Sequence, residues 1–343
     1  MIEVYLTIFF ISVLLFFLGT GVWVGISMIG VSTIGMLMFT SRPVGDAMAT
    51  TMWSMGSSWS LTALPLFVWM GEILFRTKLS ENLFKGLSPW LSKLPGGLIH
   101  VNVLGCAIFA AISGSSAATV ATVGKMSIPE LRKRNYPENF LLGTLAGSGT
   151  LGLLIPPSII LIIYGVTVEE SIAKLFIAGV IPGIVLALLF MIYVITWSIK
   201  NKEIMPIISE DFSFLEKVKQ SGQLLPVVLL IFSVIGSIYA GIATATEAAS
   251  LGVLGALALS YFQKSLTKES FNKSLLGATK TSCMIAFILA GSSFLTLAMA
   301  FTGLPNNLAV FINTLQLSPY MLLIVLTLFY IILGMFLDGI SAV

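Results

Sequence analysis

The chain has 343 residues, 57% of them hydrophobic and only 10% charged, with a mean hydropathy of +1.02. Totals of this kind exclude a soluble globular domain and indicate a polytopic membrane protein. The net charge of +3 is confined to a few connecting segments, so it bears on topology and implies no nucleic-acid partner. The apolar runs are long and continuous, whereas a transmembrane barrel would alternate over segments of about ten residues, so helices are expected throughout.

Apolar runs at about 2–19 and 21–40 open the chain as two helices. The first carries Glu3 and no Lys or Arg before Arg42, so it lacks the basic flank of a signal peptide. A segment rich in Met, Trp and Ser follows, expected outside, and then a crossing at about 61–75. In FRTKLSENLFKGLSPWLSKLPGG, Leu79, Leu83, Leu87 and Trp90 recur at helical spacing among Lys and Ser. That pattern suits an arm helix lying at the membrane interface.

Sixteen of the eighteen Lys and Arg residues sit in four connectors, around 76–93, 125–134, 200–219 and 264–280, leaving Arg42 and Lys174 for the other side. The positive-inside rule places those four connectors in the cytoplasm and the N-terminus on the periplasmic face. The apolar stretch 98–124 must therefore leave the cytoplasm and return to it. It is too short for two full crossings, so it is expected to be a re-entrant hairpin with its tip at Ser113-Gly114-Ser115-Ser116.

The next run, 138–165, does cross, but Gly147, Gly149, Gly152 and the pair Pro156-Pro157 interrupt it. Each proline removes a donor and frees a carbonyl one turn back. Irregular backbone survives at membrane depth only where it is buried in protein or lines a wet cavity. A single proline kink or packing glycine needs no function, yet a hairpin tip and a double-proline break adjacent in sequence point to a shared site. Freed carbonyls and serine hydroxyls are hard oxygen ligands suited to Na⁺, and helix N-termini at the breaks would face a carboxylate.

A run at 172–199 returns to the cytoplasm, and the polar stretch 200–222 is the expected connector between halves. Then come an outward run at 224–239, the turn AGIATATEA, and an inward run at 248–261. The amphipathic QKSLTKESFNKSLLGATKTS leads into a crossing to about Ala300, followed by a short GLPNN segment and an apolar run from Pro319 to Leu337. This order resembles the first half turned over. The expected organisation is therefore N-terminal scaffold helices with an outer segment (1–60), a first repeat with arm, hairpin 98–124 and broken helix 138–165 (61–199), the connector (200–222), and an inverted second repeat (223–343). In that repeat Asp338-Gly339-Ile340-Ser341 would form a second hairpin tip, entered from outside, whose other leg would lie beyond Val343.

Other classes fit poorly. A phosphate-cradling GxxxxGK[ST] loop is missing, since Gly124-Lys125 is followed by Met126 and preceded at the required spacing by Thr119. An intramembrane aspartyl protease needs two embedded aspartates, and Asp46 and Asp211 fall in connectors. His100, the only histidine, stands at the hairpin entrance as an interfacial residue, so an enzyme is not expected. Cys106 and Cys283 lie in apolar runs and imply neither disulfide nor zinc. Glu72, near the cytoplasmic end of its helix where it could also snorkel, Glu247, beside an outer turn, and Asp338 are the candidate relay carboxylates. They leave open a proton- or sodium-coupled carrier of another family that works without a binding protein, although Glu247 is better placed to cap a helix through Thr244 or Thr246.

The stretches LPLFVWMGEILFRTKLSENLFKGLSPWLSKLPGGL, AAISGSSAATVATVG, LGLLIPPSIILIIYG, AGVIPG and YAGIATATEAASLGVLGAL occur in this order. Together they resemble the large, DctM-like membrane subunit of the tripartite ATP-independent periplasmic (TRAP) transporters, over essentially the whole chain. One departure is Ala245, where the family has proline in its TPTEA stretch. The resemblance implies a Na⁺-coupled importer of small organic acids such as C4-dicarboxylates or sialic acid, in the bacterial inner membrane, with no cofactor besides the coupling ion. It implies two partners, a small Q-type membrane subunit and a periplasmic P-type binding protein, and an elevator-like movement. By the same resemblance, a first sodium site would use Ser113, Ser115 and Ser116 with the backbone of Gly152, Ile155 and Pro157, and a second would use Asp338, Gly339 and Ser341. Substrate contacts would come from Gly114, Ser116, Pro156, Ser158 and Thr246.

Overall fold

The computed structural model describes residues 2–76, 79–206, 212–222 and 224–336, and among these every regular element is helical. The chain divides into two compact units, one made of 1–59 with 281–342 and the other of 60–280. The stretch 200–222, expected to separate the halves, lies inside the second unit.

In the first unit, α1 (Ile2–Gly19) packs on α2 (Val24–Phe39). Glycines set this contact: the Phe10 ring comes within 2.7 Å of where a Cβ on Gly35 would stand. Leu6, Phe10 and Val31 bury themselves with Leu304, and Met36 with Phe294 and Ala298. The Met- and Trp-rich segment expected outside is largely a helix, α3 (Val44–Gly56), none of whose residues is buried.

The second unit contains α4 (Ala63–Phe75), α5 (Leu79–Leu91), α6 (His100–Ser113), α7 (Ser116–Lys133), α8 (Glu138–Gly149), α9 (Leu151–Leu154), α10 (Ile159–Thr167), α11 (Ile172–Lys200), α12 (Phe214–Ser221), α13 (Leu225–Tyr239) and α14 (Ala245–Phe262). The 34-residue helix α15 (Lys268–Phe301) runs from this unit into the first, and α16 (Leu304–Thr314) and α17 (Pro319–Phe336) follow it. GLPNN is thus the start of α16, with Gly303 at φ +74° as its N-cap. By length and composition the broken span 138–167, α11, α14 and α15 each suffice to cross a bilayer.

Of the expected stripe on the arm helix α5, Leu83 is buried and Leu87 half-buried against protein, while Trp90 stays 46% exposed. Leu83, Phe84 and Leu91 are buried, and α5 packs on α6, α7 and α12. Trp90 donates to Ser221 Oγ at 2.7 Å, and Gly86 makes room for Leu224. The connector itself forms α12, started by a capping box in which Ser213 and Glu216 satisfy each other's backbone amides.

The hairpin forms as α6 and α7, at 1.5 Å per residue about 21 Å and 27 Å long, both shorter than the roughly 30 Å hydrocarbon core. Its second leg continues past Thr122 and Gly124 to Lys133, with Lys125 exposed on its outer face. Together α6, α7 and α8 form a three-helix packet against which α4, α9 and α11 pack.

Candidate functional site

The hairpin turns at Gly114, which caps α6 at φ +59° and is itself buried. Glycine adopts that region at the least cost, so the sequence favours the reversal here. Ser115 is extended and caps α7, its hydroxyl accepting from the Ala118 amide at 3.4 Å. Ser113 Oγ lies 2.9 Å from Thr119 Oγ1 and donates toward Ser115 O at 3.3 Å, which ties the two legs across the tip. Ser113 and Thr119 are buried, while Ser116 is half-buried.

The opposing element is the interrupted span α8–α9–α10. Ile155 and Ser158 are extended, and between them lies the Pro156-Pro157 pair, joined by a cis peptide bond. Carbonyls at the break lose their usual partners four residues on. Gly152 and Leu153 face prolines, which have no N–H, and the Ile159 amide that would serve Ile155 instead donates to Gly114 O at 3.1 Å. Ser158 is fully buried and its hydroxyl donates to Leu153 O at 2.6 Å, leaving Gly152 O and Ile155 O without those donors.

The two breaks meet. A Cβ on Gly114 would stand 2.7 Å from Pro157 O and 3.0 Å from Ile159 N, and one on Gly152 would stand 2.8 Å from both Ser115 C and Ser116 N. Each glycine thus admits the other element's backbone, and Gly149 does the same for the Val120 side chain. On a third side α4 closes in, its Gly71 passing Ser113 with 3.1 Å between the built Cβ and Ser113 Cα. Ser113, Ser115, Ser116, Gly152 and Pro157, five of the residues expected at the first sodium site, therefore surround one junction, and Ile155 sits in the broken segment beside them.

The junction has a distinct electrostatic character. α6 and α9 end here with their carbonyls, and α7 and α10 begin here with their amides. Carbonyl ends favour a cation and amide ends an anion, so the two kinds of site stand side by side. Neither 103–124 nor 139–168 contains an Asp, Glu, Lys, Arg or His. Among the described residues no group of three or more His, Cys, Asp or Glu could hold a metal. A neutral set made only of hydroxyl and carbonyl oxygens suits a hard monovalent cation and not a transition metal or a carboxylate-demanding divalent ion.

Other expected residues lie elsewhere. Asp338, Gly339 and Ser341 fall outside the described residues. Thr246 is in the first turn of α14, which packs on α4 and α13. Beside it Thr244 and Glu247 form a capping box: the Thr244 amide and hydroxyl both donate to Glu247 Oε2 at 2.8 Å, and the Glu247 amide donates to Thr244 Oγ1. Glu72 is held by Arg76 at 3.0 Å, close to the backbone of Gly277. His100, at the start of the hairpin's first helix, is fully buried in the protein, and its Nε2 donates to Pro95 O at 2.9 Å. Thr119 and Gly71 were not among the expected site residues, since their roles depend on contacts across the tip and from another helix.

The family profile described as "Tripartite ATP-independent periplasmic transporter, DctM component" matches residues 11–343. The C4-dicarboxylate TRAP transporter large permease protein DctM of Pseudomonas aeruginosa is 33% identical over 304 residues, covering 88% of this chain and 70% of that protein. The sialic acid TRAP transporter large permease protein SiaM of Vibrio cholerae is 31% identical over 94% of this chain and 74% of its own length. The isethionate TRAP transporter permease protein DctMQ of Oleidesulfovibrio alaskensis is 29% identical over 95% of this chain, which spans about half (51%) of that longer protein.

Proposed function

Since the chain belongs to the DctM component family of the tripartite ATP-independent periplasmic transporters, we propose that it is the transporting membrane subunit of a Na⁺-coupled importer of small organic anions. It is a permease subunit and not an enzyme. The observation that carries the reading is the junction of Gly114 with Pro157 and of Gly152 with Ser115, where freed carbonyls and serine hydroxyls stand beside two helix N-termini. Na⁺ binds the oxygen side, at Ser113, Ser115 and the backbone of Gly152, Ile155 and Pro157. The substrate carboxylate binds at the amide ends near Ser116, Pro156 and Ser158. The Ser158 hydroxyl donates to Leu153 O here, so a carboxylate would have to displace that bond to use the hydroxyl.

The relatives' names span C4-dicarboxylates, sialic acid and isethionate, whose shared chemistry is a compact anion with polar decoration. The fused DctMQ relative supports a Q-type membrane partner, and the family's description supports a periplasmic binding protein. The basic connectors support an inner-membrane protein with its N-terminus periplasmic. An elevator movement of the hairpin-bearing unit, with the second half as inverted repeat, completes the proposal.

The test is uptake into vesicles carrying this subunit, its small membrane partner and the binding protein. Uptake is expected to require an inward Na⁺ gradient. Ser113→Ala is expected to weaken Na⁺ dependence by about tenfold, the scale of one lost hydroxyl ligand to a charged species. Uptake indifferent to Na⁺ overturns the coupling.

A further inference from the structure

At the far end of α11 a cavity of about 470 Å³ opens between the helix's last turn and the turn joining α5 to the hairpin; Ser92, Gly96, Ser198, Ile199 and Lys202 are among its lining. Ser198 is only 4% exposed, yet its hydroxyl has no hydrogen-bond partner. An orphaned buried hydroxyl is unfavourable unless a ligand supplies the missing partner. Gly96 lies opposite at φ +100°, and a Cβ there would stand 2.9 Å from Ser198 Oγ, so the glycine keeps that space open. Lys202 brings a positive charge to the same lining.

Depth identifies the occupant. α11 has 29 residues, about 44 Å, which exceeds a hydrocarbon core of roughly 30 Å, so its last turns stand at headgroup level. Val185, Leu188, Ile192 and Ile199 are each about half exposed and follow one another at helical spacing up to the cavity mouth. The negative end of the helix opposes an anion here. That opposition is blunted because the Trp197 carbonyl already accepts from both the amide and Nδ2 of Asn201.

We propose that this cavity binds the phosphate headgroup of a membrane phospholipid. Lys202 pairs with the phosphate, the Ser198 hydroxyl donates to a headgroup oxygen, and an acyl chain lies along the Val185–Ile199 strip. The site is separate from the hairpin junction, and its test does not depend on transport.

The chain is purified from nanodiscs of phosphatidylethanolamine and phosphatidylglycerol in equal parts and weighed intact by native mass spectrometry. A retained phospholipid adduct is expected in the wild type. It is expected to fall about tenfold in both Lys202→Glu and Lys202→Gln, as for loss of a charge-assisted contact. Ser198→Ala is expected to lower it as well, and Lys219→Glu, a charge reversal on α12, to leave it intact. Equal adducts in wild type and both Lys202 variants overturn the proposal. So does an adduct of added inorganic phosphate in place of lipid, which would identify a soluble anion as the ligand.

Discussion

Two glycines decide whether the hairpin tip and the broken span can touch. In Gly152→Ala the new Cβ would meet the Ser115 carbonyl carbon and the Ser116 amide nitrogen, both backbone atoms that cannot swing away as a side chain would. The expected cost is about 1–3 kcal/mol of overpacking strain. Since the strain falls on the proposed ion site, Na⁺ is expected to lose its stabilising effect on thermal unfolding in detergent. Gly143→Ala, on the same broken span but with no atom within 4 Å of the built Cβ, is the matched control and is expected to keep that effect. Equal Na⁺ responses in the two variants would remove the junction as the ion site. The sequence pointed to Gly152 and Ser113 through the interruptions they make. It did not point to Thr119, because a partner six residues on across a turn follows neither the three-to-four spacing of a helix nor a known turn pattern. Nor could it bury His100, whose place beside Pro95 depends on how α5 and α6 meet.

At the scale of elements, the interruption between α9 and α10 is as informative as any side chain. Replacing Pro156 and Pro157 together by alanine restores two amides, which would return to Gly152 O and Leu153 O and draw α9 and α10 into one helix. Helix content by circular dichroism is then expected to hold or rise slightly, while Na⁺-dependent uptake is lost. Retained coupling in the double variant would show that the freed carbonyls are not ligands. The amphipathic arm teaches a different point. Periodicity located the apolar stripe of α5 but not its neighbours, and the helix packs on α6, α7 and α12 with Leu83 buried and Trp90 half exposed. A Ser-x-x-Glu signature, Ser213 to Glu216, marked the start of α12 inside a stretch read only as a connector. Its eight residues are too few for a periodic pattern to stand out.

For the whole molecule, the separation of basic residues predicts sidedness. With Cys106 and Cys283 replaced by serine, single cysteines at 42 and 174 are expected to react with an impermeant maleimide in intact spheroplasts. Cysteines at 202 and 217 are expected to react only after permeabilisation. The reverse pattern would invert the topology and with it the face from which the hairpin enters. The two compact units divide near residue 59 and again within α15, so one continuous helix carries the chain from the hairpin-bearing unit into the other. The polar stretch 200–222, read from chain order as the connector between repeats, lies inside the second compact unit, because polarity marks where a chain leaves the bilayer and not where its packing ends.

By itself the sequence determined that this is a helical, strongly apolar protein of membrane type, which transporter family its motifs resemble, and where the helices break. Those features rest on local physics: hydrocarbon thickness sets the length of apolar runs, and proline and glycine interrupt the hydrogen-bond ladder wherever they occur. Only the tertiary structure decided that the Gly114 turn seats against Pro157 and Ile159, that Ser113 finds Thr119, and that α4 closes the third side. Such contacts join residues far apart in the chain, and they depend on close packing that no local pattern encodes.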